Sequence, residues 1–371
     1  MNGPDTENPV VDRVSGQADA VFALTTSECD SLFAPLAVYS HVLVAVSGGV
    51  DSTLLLVLLH EWTQLNGGAT PKLSVAVVDH ALRSASRHEA EGVCALAVAL
   101  ALPAAILTWE GEKPSNGLQA AARQARYRLL LDHAKAIGAD ALALAHHRDD
   151  QSETILMRLC AGSGLDGLSG MRVRAEREGI DLVRPLLGIS KQRLIATATN
   201  KGIAWVDDPS NLSDRFTRVR FRKARNVLAA AGLDAARLNR LAFRMARAHD
   251  ALENMADCYW TETATLSTET VVLSETLFAA PQEIRLRLLM RACAILAPEA
   301  PQRLERFEAL MARLNDGVRQ GHSLNSSIAG CLVRMRVDRV RVTREPLRRR
   351  GTAIRSPKCG LNEIVPEDNP V

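Results

Sequence analysis

From residue 41 the chain alternates between short apolar runs and longer amphipathic stretches. The runs "HVLVAV" (41–46), "KLSVAVVD" (72–79), "AAILTW" (104–109) and "ALALA" (141–145) are almost continuously apolar. Strands covered by helices on both faces need that pattern. Between them, 52–65, 86–101 and 118–137 carry the apolar spacing of helices. Alternating strands and helices predict an α/β fold, a doubly wound parallel sheet. Right-handed crossovers then put every strand-to-helix joint on one edge, where ligands bind.

Beyond about 227 the strand signal fades. Residues 236–260, 281–296 and 301–316 favour helix, the last two opened by a proline where a helix tolerates one. Residues 328–345, "IAGCLVRMRVDRVRVTRE", then alternate Val or Leu with Arg, as a half-exposed hairpin would. The expected plan is an N-terminal extension over 1–35, partly disordered, with room for a helix in 18–40. An α/β domain over 36–227 follows, then a mainly helical domain over 228–345 ending in the hairpin. A flexible tail over 346–371 completes the chain.

Composition refines this only slightly. Aromatic residues are 4% against 47% apolar overall, so the core must be aliphatic. A net charge of +3 gives no bulk sign of a nucleic-acid binder, so the distribution of charge has to decide. Seven cysteines at irregular spacing, none in a C-x-x-C pair, argue against a disulfide framework or a zinc ribbon and for buried free thiols. The polar, acidic N-terminus is not a signal peptide. No window has the roughly 20 apolar residues of a membrane span. A soluble, cytoplasmic protein is expected.

The first strand-to-helix joint reads Ser47-Gly48-Gly49-Val50-Asp51-Ser52. Glycines let the backbone turn and approach a ligand closely. The helix that follows offers free N–H groups and a positive dipole end to phosphate. Asp51 is out of place beside phosphate unless it holds a divalent cation or caps the helix. This joint has neither the Walker lysine nor the G-x-G-x-x-G spacing. Three further stretches carry chemistry. Asp79 and His80 fall where the second strand ends. Arg123, Arg126 and Tyr127 fall within one turn of a helix. His146, His147, Asp149, Asp150 and Glu153 cluster where another strand ends, with Asp150 and Glu153 on one helical face.

The glycine loop resembles the pyrophosphate loop of ATP-pyrophosphatases. The order and spacing of all these stretches, with "RPLLGISKQRL" (184–194) and "WVDDPSNLSDRFTRVRFR" (205–222), resemble the tRNA(Ile)-lysidine synthases of that superfamily. The resemblance is strong over roughly 40–225 and weaker over 230–345. It implies that a second C-terminal domain of longer members is missing or reduced to the tail. The implied reaction has two steps. ATP adenylates O2 of the wobble cytidine, position 34 of a CAU anticodon in tRNA(Ile), releasing pyrophosphate. The amine of free L-lysine then attacks C2, expels AMP and leaves lysidine.

On that resemblance Ser47, Gly48, Gly49, Val50, Asp51 and Ser52, with Asp79 and His80, bind ATP. Asp51 and Asp150 hold Mg²⁺, and Arg123 or Arg126 steadies the α-phosphate. Glu153 or His146 receives the ammonium of lysine and takes its proton. For tRNA the candidates are two arginine-rich stretches. Arg218, Arg220 and Arg222 lie in "DRFTRVRFRKAR" (214–225), with phenylalanines interleaved for stacking. Arg334, Arg336, Arg339 and Arg341 lie on one face of the hairpin. Other readings are a different tRNA-modifying enzyme with the same loop, a metal-dependent phosphohydrolase and a nucleotide sensor. A cytidine thiolase would carry C-x-x-C, a phosphohydrolase would not need the glycine loop, and a sensor would not need the basic second domain.

Overall fold

The computed structural model describes residues 22–81, 85–114, 117–206, 217–337 and 339–346. Most of the N-terminal extension, the tail after 346 and the 207–216 segment lie outside them. Two compact units divide the chain, Met1–Ala251 and Leu252–Val371.

In the first unit α1 (Thr26–Phe33) starts at Thr25, which forms a capping box with Glu28. Then β1 (His41–Ala45) leads through the glycine loop into α2 (Val50–Asn66). Next come β2 (Lys72–Asp79), α3 (Ala85–Ala99), β3 (Ala104–Thr108), α4 (Leu118–Ala136) and β4 (Ala141–Ala143). The expected strands and helices thus form within a residue or two of their predicted ends. After β4 come α5 (Arg148–Cys160), the short α6 (Leu165–Leu168), β5 (Arg174–Arg177), β6 (Ile180–Val183) and α7 (Lys191–Asn200).

The sheet order is β3-β2-β1-β4-β6-β5, parallel except for the β5–β6 hairpin at the edge. Its turn, Glu178-Gly179, has two positive φ angles, 54° and 82°, the geometry that matches strand twist. Each inner strand serves two cores. Val42 and Val44 pack with α2, α3 and α7, while Leu43 packs on Tyr127, Leu130 and Leu131 of α4. Strand order reverses at β1, so a crevice opens between the carboxyl ends of β1 and β4.

This unit reaches beyond the expected boundary at 227. The first turns of α9 (Ala235–Thr263), which follows α8 (Thr217–Ala230), bring Leu238 and Ala242 against Ile155 and Leu156 of α5.

The second unit holds β7 (Ala264–Ser267), β8 (Thr270–Leu273), α10 (Gln282–Leu296), α11 (Leu304–Gln320), β9 (Leu324–Ile328), β10 (Cys331–Arg336) and β11 (Arg339–Arg344). The expected hairpin is β10–β11, but it lies inside a five-stranded antiparallel sheet ordered β7-β8-β11-β10-β9. Its inner face, with Val271, Leu273, Val333, Val340 and Val342, joins one core with Leu288, Leu289 and Phe307 of the helices. Among the described residues no helix is long and apolar enough to cross a membrane.

Candidate active site

Gly48 takes φ +85°, a backbone state that side chains disfavour. Its carbonyl accepts from Val206 N at 3.0 Å. Gly49 is the N-cap of α2 and supplies no side-chain cap, so the first N–H groups of the helix stay available. Ser52 Oγ ties the loop together, donating to Gly49 O and accepting from Ser47 N, at 3.1 and 3.0 Å. These bonds fix the loop as a tight turn at the N-terminus of α2.

Asp51 is not a helix cap. Its two oxygens accept from Lys191 Nζ at 2.7 and 2.6 Å. Lys191 opens α7 behind Ser190, the N-cap that accepts from Arg193 N. His147 Nε2 lies 3.6 Å from Asp51 and 3.4 Å from Asp150. His147 is the N-cap of α5 and forms a reciprocal box with Asp150: His147 N donates to the carboxylate, and Asp150 N to the imidazole. Asp149 is buried, accepts from Lys191 N at 2.8 Å and pairs with Arg225 of α8. Glue of this kind explains why charged side chains can stay buried at the start of a helix.

Asp51 and Asp150 therefore converge on one point, each within reach of the same imidazole. Two carboxylates beside a phosphate loop suit a hard cation such as Mg²⁺, which draws its remaining oxygens from phosphate and water. Among the described residues no set of three or more acidic, His or Cys side chains forms a closed metal cage.

On the β2 side, Asp79 is buried and accepts from Ser86 Oγ at 2.6 Å and Ala81 N at 2.8 Å. These bonds, the serine first, hold its carboxyl below the usual range and shape the turn into α3. His80 packs edge-on to Trp109, with 6.1 Å between ring centroids, and its Nδ1 is buried without a partner. Burial first, and then Arg126, pushes its pKa down.

Arg126 also acts on His146 and so links both flanks of the crevice. Burial pushes His146 down to about 3, with Asp150 opposing and Arg184, Arg126 and Arg123 adding to the effect. His146 is therefore neutral at pH 7, and its Nδ1 is buried without a partner. Arg123 and Arg126 both lie over the Tyr127 ring, at 5.2 and 5.6 Å from its centroid. Glu153 is buried one turn beyond Asp150 on α5. Asp51 and Asp150 thus meet at the end of β1, and Asp150, Arg123 and Arg126 all act on His146. Asp79 and His80 stand at the end of β2, and Glu153 lies on α5 one turn beyond Asp150.

Lys191 and Arg225 are site residues that the sequence reading did not single out, whereas His147 and Asp149 stood in its acidic–histidine cluster without a role of their own. One signal existed for Lys191: a lysine in the first turn of a helix opposes the macrodipole. Of the tRNA candidates, Arg218, Arg220 and Arg222 lie on α8, where the side chains of Arg218 and Arg222 are outside the described residues. Arg334, Arg336, Arg339 and Arg341 are all exposed on one face of the second unit's sheet.

Residues 24–228 match the family described as the PP-loop domain. The chain is 42% identical to the tRNA(Ile)-lysidine synthase of a Bradyrhizobium species, covering 91% of this chain and 99% of that protein. It is 42% identical to the enzyme of that name from Rhodopseudomonas palustris, over 88% of this chain and 97% of that one. For Methylobacterium nodulans the identity is 44%, over 84% and 92%. Among solved structures, a U34-tRNA thiolase from Methanococcus maripaludis shares the fold at TM-score 0.52. Its identity is 14%, over 60% of this chain and 78% of that one.

Proposed function

The chain belongs to the tRNA(Ile)-lysidine synthases, and on that footing we propose how its residues carry the reaction. It is a PP-loop ligase that uses ATP to form lysidine in tRNA(Ile). In the proposed scheme the acceptor is the wobble cytidine, position 34 of a CAU anticodon. The donor is free L-lysine, and the intermediate is a cytidine adenylated at O2. A pyrimidine carbonyl oxygen is a poor leaving group and AMP a good one, so adenylation makes C2 open to an amine.

The amides of 47–52 and the N-terminus of α2 hold the β- and γ-phosphates. Asp51 and Asp150 would hold Mg²⁺, which would supply charge neutralisation at the phosphates. Lys191, which donates to Asp51 at the end of the glycine loop, is placed to direct its ammonium to the terminal phosphate of ATP. Arg126 or Arg123 steadies the α-phosphate as O2 attacks it and pyrophosphate departs. His80, beside Trp109, lines the adenosine side, while Asp79 keeps the turn that places it.

Free lysine arrives as an ammonium, with a pKa near 10.4, and must lose a proton before it attacks. His146, pushed down to about 3, is a poor acceptor. Glu153 both attracts the ammonium and can take the proton. AMP then leaves with the O2 oxygen. The unit beyond Leu252 carries no catalytic motif, and we assign it to the body of the tRNA. A tRNA substrate places the enzyme in the cytoplasm.

The observation that carries this scheme is the meeting of Asp51, His147, Asp150 and Lys191 at the glycine loop. Incubating the protein with tRNA(Ile), ATP and isotope-labelled lysine, then analysing nucleosides by mass spectrometry, tests it. Labelled lysidine, with one AMP and one pyrophosphate per base, is expected. ADP and phosphate as products would sink it.

A further inference from the structure

A second cavity, of about 560 Å³, lies in the first unit. Its wall carries Arg123, Tyr127, Arg158, Arg172, Arg177 and Arg184, and no carboxylate. Arg172 is neutralised by Asp250, at 2.6 and 3.0 Å. Among the described residues no carboxylate pairs with Arg123, Arg158 or Arg184. Arg177 reaches Glu178 only at 4.0 Å. Arg158 spends its donors on Gly167 O and Gly170 O, and Arg184 on Arg172 O. These bonds fix the guanidinium groups without cancelling their charge. Arg184 is 7% exposed, and its Nε is buried without a partner. Arg123, Arg126 and Arg177 all stand over the ring of Tyr127, 5.1 to 5.6 Å from its centroid. So much uncancelled positive charge, partly removed from water, destabilises the empty pocket and favours an anion in it.

We infer that this pocket holds a nucleotide of the RNA next to the base being modified, its phosphodiester on the arginines. The inference rests on the reading of the chain as a tRNA-modifying ligase, and two observations choose RNA over ATP. The pocket lies on the β6–β5 flank, whereas Asp79 and His80 end β2, on the other side of β1. Arg158 is also eight residues beyond Asp150 on α5, about 12 Å along the helix. In the proposed scheme the adenosine of ATP lies toward His80, away from this flank. At this volume the pocket takes a nucleotide and not merely a phosphate. Guanidinium groups already layered on an aromatic ring are suited to stack a base as well as to bind its phosphate. Arg123, Arg126 and Arg184 act on His146, so the pocket adjoins the reacting centre, as a neighbouring nucleotide would require.

Arg177→Gln and Arg158→Gln test this, with the anticodon stem-loop of tRNA(Ile) and ATP as separate probes. Each variant should bind the stem-loop about tenfold more weakly, with the salt slope reduced by about 1. ATP affinity should not change, and Arg177→Lys should restore most of the slope. Weaker ATP binding with normal RNA binding would assign the pocket to the nucleotide and overturn the inference. So would normal binding of both. Arg158 also braces backbone carbonyls, so Arg177→Gln, on an exposed edge strand, decides if Arg158→Gln melts early. The two readings can fail separately. A wild-type protein that makes no lysidine, yet binds the stem-loop through these arginines, loses the proposed function and keeps the pocket. Lysidine formation with unimpaired variants does the reverse.

Discussion

Lys191 Nζ donates to both carboxylate oxygens of Asp51, at 2.7 and 2.6 Å, across 140 residues of sequence. The pair joins the helix after the glycine loop to the helix that follows β6. A carboxylate so held cannot at the same time serve a cation with both oxygens. In the proposed scheme both residues act on the phosphates of ATP, so this contact ties two elements of the site to one event.

Asp51→Asn should reduce lysidine formation by about a hundredfold or more, the usual loss when a charge that steadies the transition state goes. Both partners are partly exposed, so stability should fall by no more than about 1 kcal/mol. Turnover and thermal melting, measured on one preparation, check this. A large loss of stability with unchanged activity per folded molecule would make Asp51 a structural residue only.

Lys191→Met should raise KM for ATP and lower kcat together, since the ammonium is assigned to phosphate in the loaded enzyme. A purely structural lysine predicts lost stability with normal kinetic constants for the folded fraction.

Glu153→Gln should still form adenylated tRNA and pyrophosphate but stall on adding lysine. Single-turnover assays with labelled ATP distinguish the two steps. Normal lysine transfer by this variant would move the proton acceptor elsewhere.

Protonation of His146 gives a stability prediction with a definite sign. Its pKa is near 6.5 in the unfolded chain and about 3 in the folded one. Between those values the unfolded state binds more protons, so stability rises with pH. The contribution is complete above about pH 6.5 and is lost as pH falls toward 3. His146→Gln should flatten the dependence of the melting midpoint on pH in that window, measured without nucleotide or metal. An unchanged profile would show that His146 is not held neutral.

How far the sequence reveals this molecule depends on the range of the interaction involved. The strand 72–79 was legible to the residue, because an apolar run between turn residues is a local signal. Strands β5 and β6 were not. "RAER" is charged and lies at an edge, with only one of its four side chains even half-buried, so no periodicity marks it. The four-residue strands β7 and β8 were lost beside the longer helical pattern of α9, and this left β10–β11 looking like an isolated hairpin. At the site, the glycine loop and the Asp149–Asp150 cluster were legible because each lies on one joint. The partnership of Lys191 with Asp51 and of Arg225 with Asp149 is long-range, and no spacing rule announces it.

The outer face of the second unit's sheet carries the last prediction. Arg334 faces Arg341 directly across the β10–β11 ladder, and Arg336 faces Arg339. All four are exposed. Like charges directly opposite destabilise a sheet, so this face is more costly than a neutral one. If it binds the backbone of tRNA, Arg334→Gln should have two opposite effects. Removing one repulsion should stabilise the fold by roughly 0.2–1 kcal/mol, read from the denaturation midpoint. Removing one phosphate contact should weaken tRNA binding and reduce the salt slope by about 0.7–0.9. Arg336→Gln should behave alike, and the double variant within one cross-strand pair should gain less stability than two independent repulsions would give. A gain in stability with unchanged affinity and unchanged slope would mean that the face is merely solvated. The tRNA anchor would then have to lie on the helices of that unit.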